Sequence, residues 1–250
     1  MEFVRNAWYV AGWSSEFEND LSAVKILDDK IVMFRSSLGQ VIAMEDRCPH
    51  RFLPLSMGKL IKDEIQCGYH GITYNCEGEC VRIPGQEKIQ KKLNIRTYPV
   101  YEQNDIVWIW MGEKSLAETS KIFTMSQFSQ SGWDVNQGEA IHLNSNYLYV
   151  AENLVDPAHV SFVHPTILGS SASEDVPVEF ETGGDVIVAW RWIRNSPPIG
   201  FFKEFPGYKN NVDRWHYYYL HLPSIAVIDF GSIDSKENIK EDQRHLGTQL

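Results

Sequence analysis

The segments Cys48-Pro49-His50 and Cys67-Gly68-Tyr69-His70 decide the fold of the N-terminal part of this chain. Each segment supplies one thiol and one imidazole, and sixteen residues separate His50 from Cys67. Two loops that face each other can bring all four side chains to one metal centre. Such a set suits a mononuclear zinc ion, or a [2Fe–2S] cluster in which one iron takes both thiolates and the other takes both imidazoles.

The arrangement of these residues favours the iron–sulfur cluster. Small zinc fingers keep their two cysteines together and their two histidines together, whereas here each segment contributes one of each. Pro49, Gly58 and Gly68 allow the backbone to bend tightly, and backbone N–H groups in such loops can donate hydrogen bonds to the cluster sulfurs. Cys76 and Cys80 lie outside the four-residue set and are expected to be ordinary free thiols.

A second concentration of metal-binding side chains lies between Glu152 and His164, in the pattern E-N-x-x-D-P-x-H-x₄-H. We expect one helix at about residues 147–163, and Asp156 before Pro157 suits a helix N-cap. Since an ideal helix places His159 and His164 about 140° apart, both can bind one metal only if the helix is irregular or ends between them. Two imidazoles and a carboxylate form the facial triad of non-haem Fe(II) oxygenases. For this motif alone, two unrelated histidines are the alternative.

Together, the two motifs resemble those of the Rieske non-haem iron oxygenases, and the chain as a whole resembles the oxygenase components of vanillate and dicamba O-demethylases. The resemblance spans nearly the whole chain, with weaker matches at residues 3–10 and at Asp213-Arg214-Trp215. It implies a Rieske [2Fe–2S] cluster that is bound by four side chains, namely Cys48, His50, Cys67 and His70.

The same resemblance assigns roles in the second motif. It implies that His159 and His164 bind a mononuclear Fe(II) and that Asn153 and Asp156 take part in catalysis. Asp156 would link the cluster ligand His70 of one subunit to the iron of the next. The third iron ligand of the family is a carboxylate on a helix that follows the last matching strand, and we expect it to be absent from these 250 residues.

The spacing of strand and helix patterns predicts an α+β protein. Short strands up to about residue 112 predict an antiparallel β domain, and later strands and a helix without βαβ alternation predict an α+β domain with an antiparallel sheet. We expect a Rieske domain at residues 1–115, a connector at 116–130 and a catalytic domain at 131–250 whose C-terminal part is missing. Strands are predicted at residues 24–27, 31–34, 41–44, 107–110, 186–193, 215–222 and 225–230.

Composition excludes several classes of protein. Apolar residues make up 43% and charged residues 22% of the chain, as in globular and not in disordered proteins. The net charge is −10. The sequence has no stripe of basic residues that would indicate a nucleic-acid partner. The apolar stretch 107–111 is too short to span a membrane, and the N-terminus lacks the features of a signal peptide. We therefore expect a cytoplasmic protein with reduced cysteines.

The resemblance implies an oxidoreductase, a monooxygenase or O-demethylase that acts on a small aromatic substrate, with a vanillate-like methoxybenzoate as the best candidate. Electrons would come from NAD(P)H through a separate flavin and iron–sulfur reductase, and the iron would activate O₂. A relay between subunits requires a head-to-tail ring, such as a homotrimer. The alternative is a fragment, or a Rieske electron-transfer protein, that binds the cluster but has no oxygenase activity. A substrate carboxylate could pair with Arg191 or Arg194, but a surface position is the expectation for both arginines.

Overall fold

The computed structural model describes residues 3–89, 91–165, 167–205 and 207–249. The chain forms two compact units, Met1–Asn136 and Gln137–Leu250. Antiparallel sheets dominate both units and helices are few, which confirms the predicted α+β class with an antiparallel β domain at the N-terminus. Among the described helices, none is long and apolar enough to cross a membrane.

The first unit consists of three antiparallel sheets, with the strand orders β1-β10-β9, β2-β3-β4 and β5-β6-β7-β8. Leu27 and Asp28 have positive φ angles and connect β2 to β3, as the tight two-residue turn of a hairpin requires. The strands are β1 Trp8–Trp13, β2 Ser22–Ile26, β3 Asp29–Arg35, β4 Val41–Glu45, β5 Lys59–Ile61, β6 Glu64–Gln66, β7 Thr73–Tyr74, β8 Cys80–Arg82, β9 Val100–Gln103 and β10 Ile106–Trp110.

Both cysteine–histidine segments lie in loops at one end of the β5–β8 sheet. The first segment precedes β5, and the second connects β6 to β7. Cys48 and Cys67 belong to a single hydrophobic core cluster, in which Phe34, Ile65 and Tyr74 are fully buried. Packing of the sheet core therefore draws the two loops together.

The second unit is built on one antiparallel sheet of five strands in sequential order. The strands are β11 Glu179–Gly183, β12 Val186–Ser196, β13 Val212–His221, β14 Ile225–Asp234 and β15 Thr248–Gln249. Three short helices accompany the sheet: α1 Tyr147–Leu154, α2 Val160–Val163 and α3 Gly200–Glu204. Helix α1 contacts β13 and β14.

The two faces of the central strand β13 carry different chemistry, because alternate side chains of a strand point in opposite directions. Trp215 and Tyr217 pack into a cluster with Ile233 on one face. Tyr218 packs with Phe230 and with Val160 of α2 on the other face. The second metal motif therefore lies over this latter face of the sheet.

The prediction of one helix over residues 147–163 is wrong, since the structure has two helices that are separated at residues 155–159. Pro157 cannot donate a backbone hydrogen bond and restricts the preceding residue, which explains the interruption. Asp156 is not the N-cap of α2, which is His159. The Oδ1 atom of Asp156 accepts a hydrogen bond from the N–H of Ala158 at 2.8 Å instead.

Candidate functional site

The first site separates buried thiols from exposed imidazoles. Cys48 and Cys67 are only 2% and 3% exposed. His50 and His70 are exposed, and their ring centroids are 4.6 Å apart. The two loops therefore present a pair of thiols on the inner side and a pair of imidazoles on the outer side of one site.

Hydrogen-bond donors surround the two sulfur atoms. The hydroxyl of the fully buried Tyr74 lies 3.3 Å from Sγ of Cys48. Burial raises the pKa of Tyr74 well above its ordinary value, so the phenol keeps its proton and is able to donate to a metal-bound thiolate of Cys48. Burial also raises the pKa of the Cys67 thiol, although the backbone N–H groups of Tyr69 and His70 donate to its sulfur and oppose the shift. A buried thiolate is costly without a positive partner, which a bound metal supplies.

The two loops approach each other at glycine residues. A Cβ atom on Gly58 would lie 2.3 Å from the carbonyl oxygen of Gln66, and one on Gly68 would lie 2.9 Å from that of Met57. The buried carboxylate of Asp46 supports the first loop, since it accepts hydrogen bonds from the backbone N–H and the hydroxyl of Ser56, both at 2.7 Å. These contacts hold the two loops against each other.

This arrangement fits a [2Fe–2S] cluster better than a single zinc ion. A tetrahedral zinc site needs four side chains around one point. Throughout the described ranges, no group of three or more His, Cys, Asp or Glu side chains is arranged to hold one metal ion. A Rieske cluster instead needs one pair of thiolates and one pair of imidazoles on different irons, which is how the four side chains are distributed.

The second site consists of two histidines at opposite ends of α2. His159 is the N-cap of this four-residue helix, and His164 is its C-cap. Their ring centroids are 5.5 Å apart. The short helix places both imidazoles on one side, which resolves the angular problem of a continuous helix. The loop after α2 is packed tightly, because a Cβ atom on Gly169 would lie 2.2 Å from the carbonyl oxygen of Val160.

Asp156 lies beside the first of these histidines. Its Oδ2 atom is 3.4 Å from Nδ1 of His159, although the two atoms lack the geometry of a hydrogen bond. This buried Nδ1 has no hydrogen-bond partner among the residues that the structure describes. With Nδ1 facing a carboxylate, Nε2 is the nitrogen left to bind a metal, as in carboxylate–histidine–metal triads. Two imidazoles therefore fit two positions of a non-haem iron site.

One further residue of the second motif, Asn153, was expected to take part in catalysis. Asn153 lies on α1 and is exposed. In the described part of the chain, His159 and His164 form no metal-binding group with any of the downstream acids Asp213, Asp229, Asp234 and Asp242.

Sequence reasoning missed a buried cationic network beneath α2. Arg191 was expected on the surface, but this expectation is wrong, since the residue is only 2% exposed. Its guanidinium donates to the carbonyl oxygens of Pro157 at 2.7 Å and Ser173 at 2.8 Å, and to the hydroxyl of Ser161 at 3.3 Å. Its Nε donates to Nδ1 of His216 at 3.4 Å. The expectation failed because these acceptors lie at least 18 positions away in the chain.

Several buried polar atoms on the same sheet face lack a partner among the described residues. These atoms are Nη1 of Arg214, Nε2 of His216, the hydroxyl of Tyr218 and Oγ of Ser232. Burial lowers the pKa of Arg214 to about 10. Burial, reinforced by the two guanidinium charges of Arg191 and Arg214, lowers the pKa of His216 well below its ordinary value. His216 is therefore neutral, and Arg191 and Arg214 give this face of the sheet its positive charge.

Two family models match this chain. Residues 7–99 match the Rieske [2Fe-2S] domain family, and residues 143–248 match the family described as the vanillate O-demethylase oxygenase C-terminal domain. The iron–sulfur subunit of the toluene-4-sulfonate monooxygenase system of Comamonas testosteroni is 35% identical over 246 residues, which cover 97% of this chain and 71% of that protein.

Two further comparisons extend this similarity to an enzyme of known structure. The oxygenase component of dicamba O-demethylase from Stenotrophomonas maltophilia is 32% identical over 253 residues, which cover 100% of this chain and 74% of that protein. A crystal structure of dicamba monooxygenase bound to 3,6-dichlorosalicylic acid superposes with a TM-score of 0.90 at 29% identity, covering 100% of this chain and 72% of that one. Another structure of that enzyme contains non-haem iron.

The two matched families follow each other along one chain, and relatives at 35% and 32% identity share both parts. The cofactors of such proteins are a Rieske [2Fe–2S] cluster and a non-haem iron. This chain therefore belongs to the Rieske-type oxygenases, as the oxygenase component of a monooxygenase or O-demethylase system, and is an oxidoreductase that works with a separate reductase.

Proposed function

We propose that this chain oxidises an anionic, methoxylated aromatic substrate of the vanillate type by O-demethylation. The observation that carries this proposal is the pair of histidines around α2, whose ring centroids are 5.5 Å apart, above a sheet face that holds two buried guanidinium groups. Bound iron would supply the activation of O₂ at this place. Overall, one O₂, two electrons and two protons convert the methoxyarene to a phenol, formaldehyde and water.

In this proposal, each unit of the chain has its own task. The Rieske domain, residues 1–115, holds the cluster through Cys48, His50, Cys67 and His70. The catalytic domain, residues 131–250, binds iron through His159 and His164, and residues 116–130 connect the two. Asp156 orients His159, and Asn153 serves the same site from α1.

The electron path is part of the same proposal. His50 and His70 are exposed on the outer side of the cluster site, which makes them accessible to another protein surface. The side chain of Asp156 is 47% exposed, although its Oδ2 atom faces His159. We infer that His70 of one subunit passes an electron through Asp156 of its neighbour, in a head-to-tail homotrimer or another closed ring.

An anionic substrate is favoured by the charge of the buried sheet face. Arg191 and Arg214 are 2% and 0% exposed, and no described carboxylate forms a hydrogen bond or an ion pair with either guanidinium. A buried charge without an ionic partner attracts a counter-charge at short range. The relatives named for toluene-4-sulfonate and for vanillate act on aromatic anions, which agrees with this charge.

The test compares two substrates that differ only in the carboxylate. Vanillate and guaiacol carry the same methoxy and hydroxyl groups, but guaiacol is uncharged. The cluster-loaded and iron-loaded protein, supplied with a reductase and NADH, is expected to release formaldehyde and form protocatechuate from vanillate, and to turn guaiacol over far more slowly. Equal rates with both compounds would contradict the anionic substrate. NADH oxidation without a product from any methoxyarene would favour the alternative, a protein that only transfers electrons.

A further inference from the structure

We propose that Arg191 is a positioning residue that holds the metal-binding segment 157–161 on the sheet and fixes the tautomer of His216 at the same time. This inference rests on the proposed function, because it takes His159 as an iron ligand. Arg191 lies on β12 and is separated from Pro157 by 34 positions in the chain, so its contacts join distant parts of the second unit.

The first half of the inference comes from the contacts of one nitrogen atom. Nη2 of Arg191 donates to the carbonyl oxygen of Pro157 at 2.7 Å and to the hydroxyl of Ser161 at 3.3 Å. Pro157 lies two positions before His159, and Ser161 lies two positions after it. The interrupted helix leaves backbone carbonyls without helical partners at this point, and the guanidinium satisfies one of them. The backbone on both sides of His159 is thereby tied to a strand.

Nη1, the other terminal nitrogen of Arg191, attaches the same segment to the sheet through Ser173. Ser161 and Ser173 are 4% and 0% exposed, and their hydroxyl groups are 2.8 Å apart. Nη1 of Arg191 donates to the carbonyl oxygen of Ser173 at 2.8 Å. The guanidinium thus lies in a closed ring of contacts with two serine residues, and no nitrogen atom of Arg191 is among the unpaired buried atoms of the described residues.

The second half follows from hydrogen-bond chemistry at His216. A guanidinium has donors and no acceptor, so the contact from Nε of Arg191 to Nδ1 of His216 at 3.4 Å requires Nδ1 to be the unprotonated nitrogen. A neutral ring then carries its proton on Nε2. This Nε2 is buried and has no partner among the described residues. Arg191 therefore presents His216 to the site as a hydrogen-bond donor.

Only the planar, forked guanidinium group of an arginine can form all of these hydrogen bonds at once. Lysine keeps the charge, but its ammonium is a single point that cannot reach Pro157, Ser173 and His216 together. Arg214 is the natural comparison, because it is also fully buried on the same face of the sheet. It donates to the hydroxyls of Ser196 at 3.2 Å and Ser170 at 2.9 Å, and to neither the 157–161 segment nor His216.

The experiment compares Arg191→Met, Arg191→Lys and Arg214→Met in the cluster-loaded protein. The first measurement is the dissociation constant of Fe(II) at the second site, with cluster content followed by visible absorption. The second is the tautomer of His216, read from ¹⁵N chemical shifts of histidine-labelled protein and assigned with His216→Asn. Arg191→Met is expected to weaken Fe(II) binding by about tenfold to a hundredfold, the usual effect of losing a partner of a ligand segment, and to shift the His216 tautomer equilibrium away from Nε2–H.

The controls separate positioning from general stability. Arg191→Lys should also lose the tautomer preference while it folds, and Arg214→Met should leave both readouts close to the wild type. Equal weakening by Arg191→Met and Arg214→Met would overturn the inference, as would wild-type Fe(II) affinity or an unchanged tautomer in Arg191→Met. A wild-type protein that binds no Fe(II) at the second site would overturn the proposed function together with this inference. If Arg191→Met binds Fe(II) with wild-type affinity, this result would overturn the inference about Arg191 but not the proposed function.

Discussion

Replacing Tyr74 by phenylalanine should lower the reduction potential of the Rieske cluster. The phenol of Tyr74 lies 3.3 Å from Sγ of Cys48 and is buried. Reduction adds negative charge to the cluster, so a donor to a cluster sulfur stabilises the reduced form more than the oxidised form. A hydrogen bond of this kind contributes about 0.5–1.5 kcal/mol. For a one-electron couple, in which 59 mV corresponds to a factor of ten, Tyr74→Phe should lower the potential by about 20–65 mV.

The assay is a redox titration of the purified protein followed by electron paramagnetic resonance of the reduced cluster. Tyr98→Phe is the matched control, because Tyr98 is also buried in the first unit, while its hydroxyl lies 3.5 Å from Oδ2 of Asp29 and not near a sulfur. The control variant should keep the wild-type potential. A potential in Tyr74→Phe that equals that of the wild type, or shifts upward, would refute the assignment of Tyr74 as a donor to the cluster.

Three further predictions concern the second unit. His159→Ala and His164→Ala should each remove the mononuclear iron and leave two irons with two sulfides per chain, as measured by iron and acid-labile sulfide analysis; loss of the cluster in either variant would contradict the assignment. The pKa of His216 lies well below its ordinary value of 6.5, so the unfolded state binds the extra proton and the free energy of unfolding should fall as the pH drops below about 6.5. Urea unfolding should show this slope in the wild type and a shallower one in His216→Asn. Gly169→Ala places a Cβ atom 2.2 Å from the carbonyl oxygen of Val160 and should cost about 1–3 kcal/mol of unfolding free energy; a neutral effect in thermal unfolding would show that α2 is not fixed by this contact.

Much of the architecture was predictable from local patterns. The seven predicted strands all lie within or overlap strands of the structure, because short apolar runs next to turn residues are a property of neighbouring residues. The Cys48 and Cys67 segments were also recognisable, since thiols and imidazoles at short spacing are rare and chemically specific.

The features that sequence reasoning missed depend on contacts between distant residues. Arg191 on β12 lies directly opposite His216 on β13. Only this pairing register of the two strands shows that both side chains face α2. Burial of a guanidinium is exceptional, and here backbone carbonyls of Pro157 and Ser173 compensate for it. The break between α1 and α2 had a local cause in Pro157, but the position of the new N-cap at His159 did not follow from the sequence pattern.

The most direct test of the account is the content of iron and acid-labile sulfide per chain in protein that is purified without oxygen and supplied with Fe(II). The account predicts three irons and two sulfides, which correspond to one [2Fe–2S] cluster and one mononuclear iron. Two irons with two sulfides would contradict the assignment of His159 and His164 as an iron site. Zinc without sulfide would contradict the assignment of the cluster itself.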